Sequence, residues 1–182
     1  SANQILYAYY ISNGTTIKTV LADSGPTTGP DLATLAAFSG YTYTAFIGEY
    51  VWNSGSNFIP ARQNGCWVNY ETFQNELNAG TSTVEATIDI GSSVPPGALM
   101  VKYSFLVVAT GGSASTTFAA FRTISGSDAQ RVYNNGAASG APNNSLGIHP
   151  YVSSTPMYLL SAATAPQFTV DVLGYSVKNG DS

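Results

Sequence analysis

Short runs of β-branched and aromatic residues recur along this chain, broken by Gly, Pro, Asn and Ser clusters at intervals of roughly 8–12 residues, the spacing of a sandwich or barrel. The first pair is the clearest. Ile5-Leu6-Tyr7-Ala8-Tyr9-Tyr10-Ile11 leads into Asn13-Gly14, and Thr15-Thr16-Ile17-Lys18-Thr19-Val20-Leu21 follows. Asn-Gly readily takes the positive φ angles of a type I′ turn, so this stretch predicts a hairpin. After the turn formers Asp23–Pro30, the segment Asp31–Phe38 is the one helix candidate. Pro30 stands near its start, Asp31 in its first turn and Gly40 past its end.

Strands are then predicted at Tyr41–Ile47 and Glu49–Trp52, with Gly48 marking a bulge between them, and at Phe58-Ile59 and Cys66–Tyr70. Glu71–Leu77 reads as loop or helical turn. In Thr83–Ile90 the residues Val84, Ala86, Ile88 and Ile90 share one face while Glu85, Thr87 and Asp89 share the other, a half-buried strand. Further strands are predicted at Leu99–Ala109, Thr116–Ile124, Ala129–Tyr133, Tyr151–Ser161 and Gln167–Val177. Gly111-Gly112-Ser113 and the stretch Asn134 to Ser145 read as loops, the second long enough to suggest a functional role. There is no convincing internal repeat and no linker, so the 182 residues are expected to form one domain.

Composition changes this picture in one respect. Only 9% of residues are charged, against about 25% in an ordinary soluble domain. The exposed surface must be neutral and rich in hydroxyls and amides, which suits a protein packed into a larger assembly or one that meets sugars. Net charge is −4, and the six basic residues (Lys18, Arg62, Lys102, Arg122, Arg131, Lys178) are scattered. Nucleic acid, which requires clustered cations, is excluded as a partner. Apolar runs such as Leu106–Ala109 fall far short of the ~20 residues of a membrane helix, so no membrane insertion is expected. Cys66 stands alone, which excludes an intrachain disulfide and multi-cysteine zinc patterns; it reads as a small hydrophobe.

Catalytic chemistry is sparse. The one histidine, His149 in Gly147-Ile148-His149-Pro150, has no Gly-x-Ser-x-Gly elbow to serve, and it reads as a loop or pocket residue. One His and one Cys do not make a zinc site of the usual kind. Glu71 with Glu76, and Glu85 with Asp89, are the carboxylate pairs a glycosidase would need at roughly 5–9.5 Å; both pairs read more simply as solvated positions. The Ca²⁺ loop spacing is absent, and no cofactor is expected. A sugar site needs an aromatic plane with amides and a few charged anchors. The region richest in these is Asp128, Arg131, Tyr133, Asn134, Asn135, Asn143, Asn144, His149 and Tyr151. The competing reading is plain: Tyr is a good strand former and Asn a common turn residue. Trp52 and Trp67 read as core or interface anchors. A separate candidate is assembly, with Tyr7, Tyr9 and the face of Leu99–Val108 packing against symmetry mates.

Several segments in order carry a family resemblance. They are Gly40-Tyr41-Thr42-Tyr43, Phe46-Ile47-Gly48-Glu49-Tyr50-Val51, Phe58-Ile59, Gln63-Asn64-Gly65, Val68-Asn69-Tyr70, Val94-Pro95-Pro96-Gly97-Ala98 and, near the end, Val172-Leu173-Gly174-Tyr175. This order resembles a β-sandwich module of bacteriophage and prophage tail-fibre and surface proteins, over roughly residues 1–110 and the last ten. It departs from that pattern at Pro30–Ser39.

The resemblance implies a non-catalytic virion protein, a tail- or head-fibre module that recognises a host-surface glycan and works as a trimer beside other virion proteins. Capsid decoration is the second expectation, and a bacterial lectin-like module the third. The expected fold is all-β, an antiparallel β-sandwich with jelly-roll-like connections and one short helix near residues 31–38, either alone or as the tip of a longer fibre. Sequence alone offers one discriminator. An assembly module leaves a large apolar patch on the isolated protomer, whereas a receptor-binding tip shows a polar, concave loop cluster.

Overall fold

The computed structural model describes residues 4–25, 28–33, 36–52, 57–108, 117–125, 127, 129–134, 142–161 and 166–177. The loop at 111–113, the middle of the 134–145 stretch, and positions Asp128 and Asn135 lie outside them.

The Asn13-Gly14 turn closes a hairpin between β1 (Gln4–Ser12) and β2 (Ile17–Ala22). The Asn13 amide bonds the Thr16 carbonyl, and the Asn13 side chain accepts from the Thr15 and Thr16 amides at 3.0 and 2.7 Å. Gly14 takes a φ of +88° and Thr15 does not become positive. The turn is therefore of the II′ kind, with Gly in its first central position, rather than I′. β3 (Tyr43–Trp52) pairs with the other side of β1, giving a three-stranded antiparallel sheet ordered β2-β1-β3. The register skips one residue opposite Ala8 and Tyr9, so Ile47 is the bulged residue, next to the Gly48 that sequence flagged.

Asp31–Phe38 is not a two-turn helix. Asp31 turns its carboxylate onto the Ala33 amide at 3.1 Å, residues 31–33 are irregular, and only a 3₁₀ turn at Ala36–Phe38 follows. A short acidic side chain that bonds its own backbone competes with helix at this point.

The rest of the chain forms two further antiparallel sheets. One is ordered β10-β7-β12-β5-β4, from β4 (Ala61–Asn64), β5 (Trp67–Gly80), β7 (Met100–Val108), β10 (Pro142–Pro150) and β12 (Gln167–Ser176). The other is ordered β6-β11-β8-β9, from β6 (Ala86–Thr87), β8 (Thr117–Arg122), β9 (Gln130–Asn134) and β11 (Met157–Leu160). They face each other as a sandwich, and among the described residues no sheet closes into a barrel. Period-two alternation supplies the core: Val101, Tyr103, Phe105 and Val107 from β7, Phe168, Val170 and Val172 from β12, Ala119 and Phe121 from β8, and Tyr158 and Leu160 from β11. Phe121 lies 4.8 Å, ring to ring, from both Tyr103 and Phe105.

Strand expectations change in several places, among them Tyr151–Ser161, where the strand is only Met157–Leu160. Glu71–Leu77 lies inside the fourteen-residue β5, whose register slips repeatedly against β12. Asn143, Asn144, Ser145 and His149 belong to β10 and not to a loop. In 83–90 only Ala86-Thr87 is ladder-paired; Ile88 and Ile90 are buried as expected, but Val84 is exposed.

Two glycines of the sequence motifs are fixed by close approach. A Cβ on Gly174, in central strand β12, would press on the Val68 backbone, 3.0 Å from Cα of Asn69. A Cβ on Gly97 would lie 2.8 Å from the Glu49 carboxyl carbon. Glu49 is buried, its backbone carbonyl accepts from the Tyr175 hydroxyl at 2.8 Å, and its carboxylate accepts from the Gly97 amide. The Ile47-Gly48-Glu49-Tyr50 and Val94–Ala98 motifs thus meet at one carboxyl group, which joins the three-stranded sheet to the sandwich.

Candidate functional site

β9 and β10 are the edge strands of the two sandwich sheets, and they lie together along one side. His149 points inward from β10 among Tyr103, Phe105 and Phe121, with ring separations of 5.9, 6.1 and 5.3 Å. Its Nε2 is 2.5 Å from Oε1 of Gln130 on β9, and burial pushes the imidazole pKa down. Asn143 donates to the Tyr133 carbonyl across the same seam. A Cβ on Gly147 would sit 2.5 Å from the Gln130 side-chain oxygen and 2.7 Å from Phe105, so this position must be small for the seam to close. His149 and Gln130 therefore close the open side of the sandwich with a polar contact over an aromatic core.

The remaining members of the sequence-derived sugar region divide between faces. Arg131 and Tyr133 project outward from β9 and flank Phe118, the guanidinium 5.1 Å and the tyrosine ring 5.9 Å from it. Asn144 is exposed on β10, Tyr151 packs half-buried against the core, and Asn134 pairs through its backbone with Thr117. The structure brings Arg131 and Tyr133 together around Phe118, ties Asn143 to the Tyr133 backbone carbonyl, and turns His149 inward, away from the Arg131–Tyr133 pair. Each proposed carboxylate pair is split by other partners. Glu71 bonds Arg62 at 2.9 Å while Glu76 accepts from buried Ser93; Glu85 bonds Arg122 at 2.5 Å while Asp89 is exposed. Among the described residues no three His, Cys, Asp or Glu side chains cluster as metal ligands, and no helix is long and apolar enough to cross a membrane.

A larger feature lies on the three-stranded sheet. Its two faces differ sharply. One carries Tyr9, Ile11 and Phe46 and is covered: Tyr9 and Ile11 are 2% and 0% exposed, and the Tyr9 hydroxyl donates to the Ser24 carbonyl of the following loop. The other carries Ala8 and Tyr10 from β1, Ile17, Thr19 and Leu21 from β2, and Tyr43, Ala45 and Ile47 from β3. It is bare. Ile17, Tyr43 and Tyr10 are 69, 68 and 52% exposed, and none of these residues is charged. Two adjoining hollows share Tyr10, one of about 420 Å³ bounded by Ile17 and Tyr43, the other of about 560 Å³ bounded by Leu21, Ile47 and Phe58.

Tyr7 and Tyr9, expected on a face free to meet symmetry mates, lie on the covered face; the exposed tyrosine is their neighbour Tyr10, because a one-residue change of parity exchanges the two faces of a strand. The second apolar face named from sequence is partly present. Even-numbered side chains of β7 point outward, beside exposed Leu146 and Ile148 of β10.

No protein-family model matches the chain, and no curated protein matches it either.

Proposed function

We propose that this protein is a non-catalytic structural module of a bacteriophage virion, of the tail- or head-fibre kind, and that self-association through apolar sheet surface is its first task. The observation that carries this reading is the bare face of the three-stranded sheet. A contiguous surface with two exposed tyrosines, two exposed aliphatics and no charge costs solubility unless something covers it. Aromatic residues with few charges are also the composition of interface cores. The sequence-level resemblance to phage fibre modules supports the virion setting, and the low overall charge supports life inside an assembly. Capsid decoration draws on the same surface.

Host-glycan recognition is a second role, favoured by the outward Arg131–Phe118–Tyr133 cluster on β8 and β9, where an aromatic plane stands beside a guanidinium. The test of the main reading is mass by light scattering across a dilution series. A stable multiple of the 19.0 kDa chain mass supports assembly, and a monomer at every concentration overturns it.

A further inference from the structure

The bare face belongs to a sheet that is open at both sides. β2 pairs only with β1, and β3 pairs with β1 on one side and meets residues 58 and 59 only near its far end, at Trp52 and Val51. The edge of β2 and the first half of the β3 edge, residues 43–47, therefore bear no strand among the described residues. Natural edges are normally protected by proline, by charge or by cover. Neither stretch contains proline, and the one charged residue, Lys18, points to the opposite face, its Nζ 5.0 Å from the Tyr41 ring.

From these observations, and resting on the self-association proposed above, we propose that three copies join these sheets edge to edge, β2 of one copy against β3 of the next, with the bare faces turned inward to form a shared apolar core. Size decides against simple face-to-face pairing of two copies. Three strands spaced ~4.8 Å apart, with β2 about 20 Å long, give a flat footprint of roughly 300 Å². A stable pair of proteins buries about 800 Å² on each partner. In a closed ring each protomer meets two neighbours, and backbone bonding at both edges adds to the apolar contact. Three sheets of three strands give nine, close to the eight whose interior side chains just fill. Tyr10, Ile17, Leu21, Tyr43 and Ile47 supply that filling.

Direction follows from topology. β2 and β3 are both antiparallel to β1, hence parallel to each other. Rotation about an axis along the strands preserves direction, so the joint between copies is a parallel pair. Glu49, on the covered face, meets Gly97 of the sandwich, which places the three sandwiches outside the ring, with residues 58–61 of each copy bordering one end of the shared core.

The hairpin alternation sends the amides of Ile17, Thr19 and Leu21 away from β1, toward the open edge. Hydrogen exchange on the wild-type protein reads these amides directly. The arrangement predicts protection of all three in the oligomer that is lost on dilution to monomer. Thr19→Pro removes one outward amide at an edge position where proline is tolerated, and is expected to give a folded monomer. If the wild type is an oligomer in which these amides exchange freely, or in which folded Thr19→Pro leaves the mass unchanged, the edge-to-edge ring is overturned while self-association stands. A twofold dimer overturns the ring likewise. A wild-type monomer, including one that gains mass only with a glycan or another protein, overturns both.

Discussion

The contact between Gly97 and Glu49 gives the sharpest test of how the three-stranded sheet is held to the sandwich. In Gly97→Ala the new methyl carbon would lie 2.8 Å from the Glu49 carboxyl carbon and 2.9 Å from Oε2. Ordinary carbon contacts are ~3.5–4.0 Å, so the turn or the carboxyl must retreat by about 1 Å. Glu49 is 4% exposed and cannot swing into solvent. Overpacking of this kind costs about 1–3 kcal/mol, and stretching the Gly97 amide off a buried acceptor adds about 1 kcal/mol. The sum, about 2–4 kcal/mol, lowers Tm by roughly 4–16 °C for a chain of this size.

Calorimetry of wild type, Gly97→Ala, Glu49→Ala and the double variant measures it as a cycle. With the carboxyl gone the methyl has room, so Gly97→Ala should cost clearly less in the Glu49→Ala background. Strict additivity, or a Gly97→Ala protein as stable as wild type, refutes the contact and with it the role given to both motifs.

Other expectations follow from burial and charge. Burial raises the Glu49 carboxyl pKa, with a partial offset from the Gly97 amide. Its stabilising contribution is present at acid pH and is lost as pH rises from about 4.5 through the raised folded value; urea midpoints across pH should show a shallower slope in Glu49→Gln than in wild type, the remainder coming from Glu76, whose pKa burial also raises. His149 behaves oppositely: burial lowers its pKa, so stability falls as pH drops through the ordinary imidazole value of 6.5, a slope that His149→Gln should remove. Gly174→Ala, which presses a methyl on the Val68 backbone between two ladders, should lower Tm more than Gly147→Ala, which presses on the side chains of Gln130, Phe105 and His149. Arg131→Ala and Tyr133→Ala, both on exposed β9 positions, should change stability by less than about 0.5 kcal/mol while abolishing any signal on a glycan array; unchanged glycan binding would remove the second role.

Alternation and turn chemistry made most of the sandwich legible in advance. Strand runs such as Leu99–Ala109 and Gln167–Val177 were bounded to within a residue or two. What failed depended on partners far along the chain. Asn143 and Asn144 look like turn residues locally, yet β7 presents a long free edge to which Pro142–Pro150 adds. Glu71–Leu77 has no strand pattern of its own and is drawn into β5 because β12 needs a neighbour. The candidate site was legible as composition but not as position. Tyr7, Tyr9 and Tyr10 stand together in sequence, and only the covering of one face by the loop after β2 shows that Tyr10 is the exposed one. His149, the natural first choice for chemistry, is taken inward by three aromatic rings that come from β7 and β8.

If other copies of the chain cover the bare sheet face, charge placed on that face must separate them. Light-scattering mass of wild type beside an Ile17→Lys, Leu21→Lys double variant measures this, with circular dichroism to confirm that both are folded. The wild type is expected at three times 19.0 kDa and the folded variant at 19.0 kDa. A wild type at 19.0 kDa throughout, or a folded variant that keeps the wild-type mass, would contradict it.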